Sequence, residues 1–262
     1  MGRIIDFHIH PWLRAEDNIC AYPATVEALS PAEAVRRDLT RVGITQCAGS
    51  LIRTDLKGSE DPAALLRRGN DEMLALRAEL SDFYIPGMMI HPAFVRESCE
   101  EVERMHAAGV RLIGELVPYM HGWGPATYTE DGLDEILALA TEYGMVLSFH
   151  SMNMQTAFAM VRRHPKMTFV AAHPGEKPNY MEHLAFMKEA PNYYLDLSGT
   201  GLLRYGMLAH GVSAVGAERF LFGSDYPICS PGMNLGAVEY ERISDRDREL
   251  ILSGNAIRLL GL

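Results

Sequence analysis

The chain has 262 residues, 34 acidic and 24 basic, so its net charge is −10, and 48% of its residues are hydrophobic. That is enough apolar material for one large core, and the expectation is a single domain over 1–262. The acidic balance disfavours a nucleic-acid partner, which would want a basic stripe. No apolar run reaches membrane-spanning length, and the N-terminal MGRIIDFHIHPW lacks the apolar segment of a secretory signal. Four cysteines without paired spacing read as free thiols, which suits a reducing cytoplasm.

In chain order, short β-branched runs predict strands over 3–9, 44–52, 83–90, 110–117, 145–150, 167–173, 193–197 and 219–224. Helical stretches begin near Pro31, Asn70, Glu97, Glu130, Met152, Lys177 and Leu202, with a last one over 246–260. Ser30-Pro31 is a helix start, with serine as cap and proline at the first helical position. Gly43, Gly109, Gly144 and Gly216 sit where helices end before the next strand. Strands separated by such helices imply right-handed βαβ units and a parallel sheet. Eight of them in one domain predict a closed (β/α)8, or TIM, barrel. No glycine-rich phosphate-binding loop follows any strand, as an open nucleotide-binding sheet would have. Irregular stretches are expected over 11–29, 53–69, 118–129 and 226–243, each starting where a strand ends.

The first strand closes on His8-Ile9-His10. Alternate strand residues share a side, about 6.6 Å apart, so two imidazoles there can converge on one ion. His150 closes the fifth strand, His173 the sixth, Glu115 lies late in the fourth, and Asp225 follows the eighth. Ionisable groups at the ends of apolar strands are costly unless paired or metal-bound, and in this fold all the C-terminal strand ends surround one mouth. Five strands ending this way predict a metal site. Imidazole ligands suit zinc, manganese, iron or nickel better than calcium or magnesium, and zinc is the first expectation.

As an ordered set these residues resemble the amidohydrolase superfamily, over essentially the whole chain. The phrases FHIHPW at 7–12, AAHPGE at 171–176, LFGSDYP at 221–227 and NAIRLLGL at 255–262 are similar to the amidohydrolase-related branch that includes aminocarboxymuconate semialdehyde decarboxylase. LIGEL at 112–116 and IHP at 90–92 resemble instead the branch of metal-dependent deoxyribonucleases. The second likeness implies two ions, with His8, His10 and Asp225 on the first and Glu115 bridging to one held by His150 and His173. The first implies a single ion on His8, His10, His150 and Asp225, with His173 orienting or deprotonating a water. In both, the ion activates water and Asp225 carries its proton.

Further candidates line the expected mouth. Arg53 could clamp a carboxylate or phosphate, or be a solvated loop arginine. His91 closes the third strand and could touch substrate. Tyr119, His121 and Trp123, in PYMHGWGP, could form a lid or substrate wall. Asp196 points either towards the mouth or into a helix-facing contact, and Ser198 after it could bond substrate. The leading expectation is a metal-dependent hydrolase of an ester, lactone or amide of a small carboxylated molecule. The alternatives are a non-oxidative decarboxylase, a metal-dependent phosphodiesterase, and a barrel that binds metal without turnover. A small-molecule substrate and, for a protein partner, a second copy in a homo-oligomer are expected, with no nucleic acid and no membrane.

Overall fold

The computed structural model describes residues 2–14, 17–20, 30–56, 58–202 and 204–262; part of the expected loop at 11–29 lies outside them. Eight parallel strands follow one another around a barrel: β1 (Ile5–Ile9), β2 (Gln46–Gly49), β3 (Tyr84–Met88), β4 (Leu112–Leu116), β5 (Val146–His150), β6 (Thr168–Ala172), β7 (Tyr193–Asp196) and β8 (Phe220–Leu221). Each falls inside an expected run. The ring closes where Phe7 N donates to Phe222 O (2.9 Å), Asp225 N to His8 O (2.8 Å) and His10 N to Tyr226 O (2.7 Å). A further parallel bridge joins Ile9 to Tyr226.

Helices among the described residues are α1 (Pro31–Arg41), α2 (Pro62–Leu80), α3 (Val95–Ala107), α4 (Pro118–His121), α5 (Leu133–Glu142), α6 (Met154–Arg163), α7 (Lys177–Glu189), α8 (Met207–Val215), α9 (Pro231–Glu239), α10 (Asp245–Glu249) and α11 (Asn255–Leu260). Ser30 caps α1 as expected, and Glu33 completes the reciprocal capping box. Three expected loops hold helix, the stretch 118–129 containing the single turn of α4 and the other two longer helices. The stretch 53–69 contains the first turns of α2, which starts at Pro62 because the Asp61 carboxylate caps Ala64 N. The stretch 226–243 contains α9, again with proline in its first turn, and Gly232 and Gly236 mask it in the sequence. The last helix is broken by a wider turn over Leu250–Gly254, where Asn255 N reaches back to Leu250 O. No helix among the described residues is long and apolar enough to cross a membrane.

Residues paired across parallel strands point to the same face, so the register shows what lies inside. Ile5, Phe7, Ala48, Leu112, Val146, Val170 and Leu221 form one apolar cluster, joined by Ala256 and Leu260 of α11. This is the barrel interior at the N-terminal strand ends, with α11 closing it from below. The ligand-bearing residues above must face inward too, and in β1 and β4 simple alternation forbids it. Both strands solve this with an extra residue. In β1 the register moves from Asp6↔Cys47 to Ile9↔Gly49, three residues against two. In β4 it moves from Ile113↔Leu147 to Leu116↔Phe149, again three against two. Such bulges re-aim side chains beside functional sites. Alternation alone would group Glu115 with Ile113 and oppose it to Leu112. Instead Leu112 and Glu115 both face inward, while Ile113 and Leu116 pack in the outer core. Gly114 makes the β4 bulge possible: its φ is +92°, and a Cβ there would lie 2.1 Å from Ser148 O.

Asn255 pins α11 to the barrel. It is buried, and its Nδ2 donates to Ala217 O (2.9 Å) and Phe220 O (2.8 Å). Asn255→Ala leaves two buried carbonyls unpaired and should destabilise the fold by about 2–4 kcal/mol. Urea unfolding measures this, and a change below about 0.5 kcal/mol would show that α11 is held by packing alone.

Candidate metal centre

The first histidines are set by the seam between β1 and β8. Asp6 Oδ1 accepts from His8 N (3.2 Å) and Ser224 N (2.9 Å), and Oδ2 accepts from the Ser224 hydroxyl (2.5 Å). Burial pushes this carboxyl up to about 7 against those hydrogen bonds. Asp6 thus ties the bulge carrying His8 to the turn carrying Asp225. Asp225 (φ +66°) and His173 (φ +69°) are both non-glycine residues in the left-handed region, a conformation concentrated at functional sites.

His8 Nδ1 lies 2.9 Å from Asp196 Oδ2, and His10 Nδ1 lies 3.0 Å from Ser50 O. Both acceptors need a proton on Nδ1, so each Nε2 of the neutral rings carries a lone pair. Those two Nε2 atoms are 3.0 Å apart. Glu115 Oε2 is 3.3 Å from each of them, and Asp225 Oδ1 is 3.3 Å from His10 Nε2 and 3.7 Å from His8 Nε2. Lone pairs on four electron-rich atoms converge on one point, with side chains 9% exposed or less. In the low dielectric of the barrel mouth this is repulsive unless positive charge lies among them.

The local electrostatics carry the same demand. Burial pulls His8 down, yet Asp196 and Glu115 hold it well above its ordinary value. Burial likewise opposes His10, which the Asp225 and Glu115 carboxylates raise to about 9. Burial would raise Glu115, but His8, His10 and His150 hold it well below the usual carboxylate range. Asp225 Oδ1 is buried and receives no hydrogen bond among the described residues. A cluster that draws positive charge onto its imidazoles in this way fits a divalent ion, which would take the place of those protons: ligands about 2.1 Å from one centre stand about 3–3.5 Å from each other. His8, His10 and Asp225 form one such group, and His8, Glu115 and His173 another that overlaps it.

The other carboxylate oxygen of Glu115 faces the opposite pair. Oε1 is 2.9 Å from His150 Nδ1 and 3.5 Å from His173 Nε2. The structure therefore brings together His8, His10, Glu115, His150, His173 and Asp225. It places the remaining candidates around them. Tyr119 is 59% exposed, with its ring 5.6 Å from that of His150. His91 and Trp123 are buried, edge-to-face at 5.8 Å. His121 is buried, and burial pushes it down to about 3, so it stays neutral; its Nε2 and Trp123 Nε1 have no partner among the described residues. Arg53 is no solvated loop residue. It is 2% exposed and grips Asp55 with two bonds (2.8 and 2.6 Å), with Glu72 at 3.5 Å and Asp17 at 3.8 Å. Its guanidinium fork is already filled by carboxylates.

Sequence reading left the orientation of Asp196 open; the structure turns it inward, against His8 Nδ1 and Ser198. Its signal was a lone carboxylate inside the apolar run YYLDL. Asp6 had none, since an aspartate near a strand start reads as solvated.

No curated protein sequence matches the chain. Among solved structures it is similar to 2,6-dihydroxybenzoate decarboxylase from Rhizobium (TM-score 0.75, 16% identity, 100% of this chain and 99% of that one covered). It is also similar to 5-carboxyvanillate decarboxylase from Sphingomonas paucimobilis (0.73, 16%, 99% and 99%). A third is dihydroxybenzoic acid decarboxylase from Polaromonas sp. JS666, solved with manganese and 2-nitroresorcinol (0.73, 16%, 100% and 98%). At these identities the likeness is one of fold. The amidohydrolase family model matches residues 5–262, and with the barrel and its histidine- and carboxylate-lined mouth already in view, the chain belongs to the amidohydrolase family.

Proposed function

We infer that this protein is a metal-dependent carbon–carbon lyase, removing CO2 without oxidation from a small, planar, hydroxylated carboxylic acid. The observation that carries the reading is the convergence of His8 Nε2, His10 Nε2, Glu115 Oε2 and Asp225 Oδ1 within 3.0–3.7 Å of one another where measured, which suits a cation at the barrel mouth. The choice of reaction is supported by full-length likeness in fold to three decarboxylases, one of them with manganese. Hydrolysis, the leading expectation from sequence, has weaker support: more of the similar structures are decarboxylases, against one putative amidohydrolase. The mouth also suits a flat acid: Tyr119, Trp123 and two buried neutral histidines, His91 and His121, offer aromatic faces and neutral hydrogen-bonding edges.

His8, His10, Glu115 and Asp225 would hold one ion; zinc and manganese both suit two imidazoles and two carboxylates. When bound, it supplies positive charge that neutralises the acid and fixes its orientation. His150 donates from Nδ1 to Glu115 Oε1, which holds that carboxylate with its other oxygen towards His8 and His10. His173 Nε2, 3.5 Å from Glu115 Oε1, would be left to exchange a proton with the substrate. Breaking the bond to the carboxyl group releases CO2 and leaves the electron pair on the substrate carbon, which takes up a proton. Asp225 and His173 are the groups placed to hold and deliver it.

Three outcomes follow. Supplied with hydroxylated benzoates and zinc or manganese, the protein should release CO2; ester or lactone hydrolysis with no CO2 from any of these acids would restore the hydrolase reading. Metal titration followed by elemental analysis should saturate at one ion per chain and find almost none in His8→Ala/His10→Ala, whereas saturation at two would make Glu115 a bridge between ions. Asp225→Asn keeps the side chain's shape but cannot carry a proton. Turnover should fall by about 10²–10⁴ with metal retained, and near-parental turnover would remove Asp225 from the proton path.

A further inference from the structure

We propose that Ser198, backed by Asp196, is a positioning residue that fixes which nitrogen of His173 carries the proton, so that Nε2 always turns an open lone pair to the metal centre. The proposal deepens the role given to His173 above, yet it stands on hydrogen-bond geometry that does not depend on the reaction.

The direction of the chain is set at Asp196. This carboxylate is fully buried and meets an N–H donor on each oxygen, the His8 ring on Oδ2 and the Ser198 backbone on Oδ1, so both oxygens accept. Oδ2 takes the Nδ1 proton of His8 at 2.9 Å. Oδ1 takes the backbone N–H of Ser198 (2.9 Å) and also its hydroxyl hydrogen. A hydroxyl has one hydrogen. Once it points to Asp196, Ser198 Oγ can only accept from its other neighbours. Its remaining partners are His8 Nδ1, whose proton Asp196 already shares, and His173 Nδ1, each at 3.0 Å. His173 must therefore donate from Nδ1, and in the neutral ring Nε2 is then the lone-pair nitrogen, 3.5 Å from Glu115 Oε1.

The turn after β7 is shaped to seat the ring here. Gly199 adopts φ +63°, and a Cβ on it would lie 2.3 Å from His173 Nδ1, so a side chain at 199 would displace the imidazole from the hydroxyl. One carboxylate thus orders two histidines: directly for His8, and through Ser198 for His173. Outer partners of this kind set tautomer and ring orientation around metal sites.

The test is the tautomer itself, read by two-bond 1H–15N correlation on the zinc-loaded protein with 15N-labelled histidine, His173 being assigned by its loss in His173→Gln. The expected parent spectrum shows the proton on Nδ1 of His173. Ser198→Ala should lose that preference and cut turnover about 10–100-fold with metal content unchanged, and Ser198→Thr, which keeps a hydroxyl, should restore both. A parent with the proton on Nε2 overturns the proposal whether or not any variant folds. So does Ser198→Ala with an unchanged His173 spectrum, the result expected if the serine only packs. None of these spectra depends on CO2 release, so failure of the lyase reading and failure of this one are separable.

Discussion

The structure depends on one electrostatic constraint, the meeting of two imidazoles and two carboxylate oxygens, all largely buried, at the barrel mouth. Asp196 and Ser50 lock the protons of His8 and His10 on the far side of each ring, so the near sides have nothing to donate. At an effective dielectric constant of about 20, a pair of unit charges at 4 Å already interacts with about 4 kcal/mol, so four electron-rich groups at such range cannot remain uncompensated. The buried Asp225 oxygen, which receives no hydrogen bond among the described residues, is the clearest mark of that missing charge. A cation there turns mutual repulsion into ligation.

The scaffold serves that constraint in three ways. Bulges in β1 and β4 let a strand fill the barrel floor with Phe7 or Leu112 and still aim His8, His10 or Glu115 at the mouth. Asp6 stitches β1 to the turn after β8, so His8 and Asp225 move as one unit. Asp196 and Ser198 extend the same control to β6, where His173 sits on an otherwise unfavoured backbone conformation. The ionisable residues outside the ion's immediate reach thus fix the orientation of those within it.

Much of this was legible in the sequence because it is periodic or local. Eight apolar runs alternating with helices, and no glycine-rich phosphate loop, favour a closed parallel barrel over an open sheet, and that fold sends every strand's C-terminal residue to one place. His8, His10, Glu115, His150, His173 and Asp225 were therefore readable as neighbours before any coordinates. The rest was hidden for physical reasons. A bulge has no signature in a five-residue strand, so the inward turn of Glu115 came out of register with its apolar neighbours. The start of α2 at Pro62 was obscured by the charged, glycine-containing stretch after it, although Asp61-Pro62 is itself a helix start. Arg53 looked available for substrate because nothing local reveals that Asp17 and Glu72, far along the chain, close on it.

The central claim is that positive charge at the mouth is a metal ion held by His8, His10 and a carboxylate. Anomalous diffraction at the metal absorption edge tests it most directly. The account predicts one strong peak between His8 Nε2, His10 Nε2 and Asp225 Oδ1, about 2.0–2.2 Å from each. A metal-supplemented crystal with no anomalous peak there, and the two imidazoles still edge to face as protonated partners of the carboxylates, would contradict it.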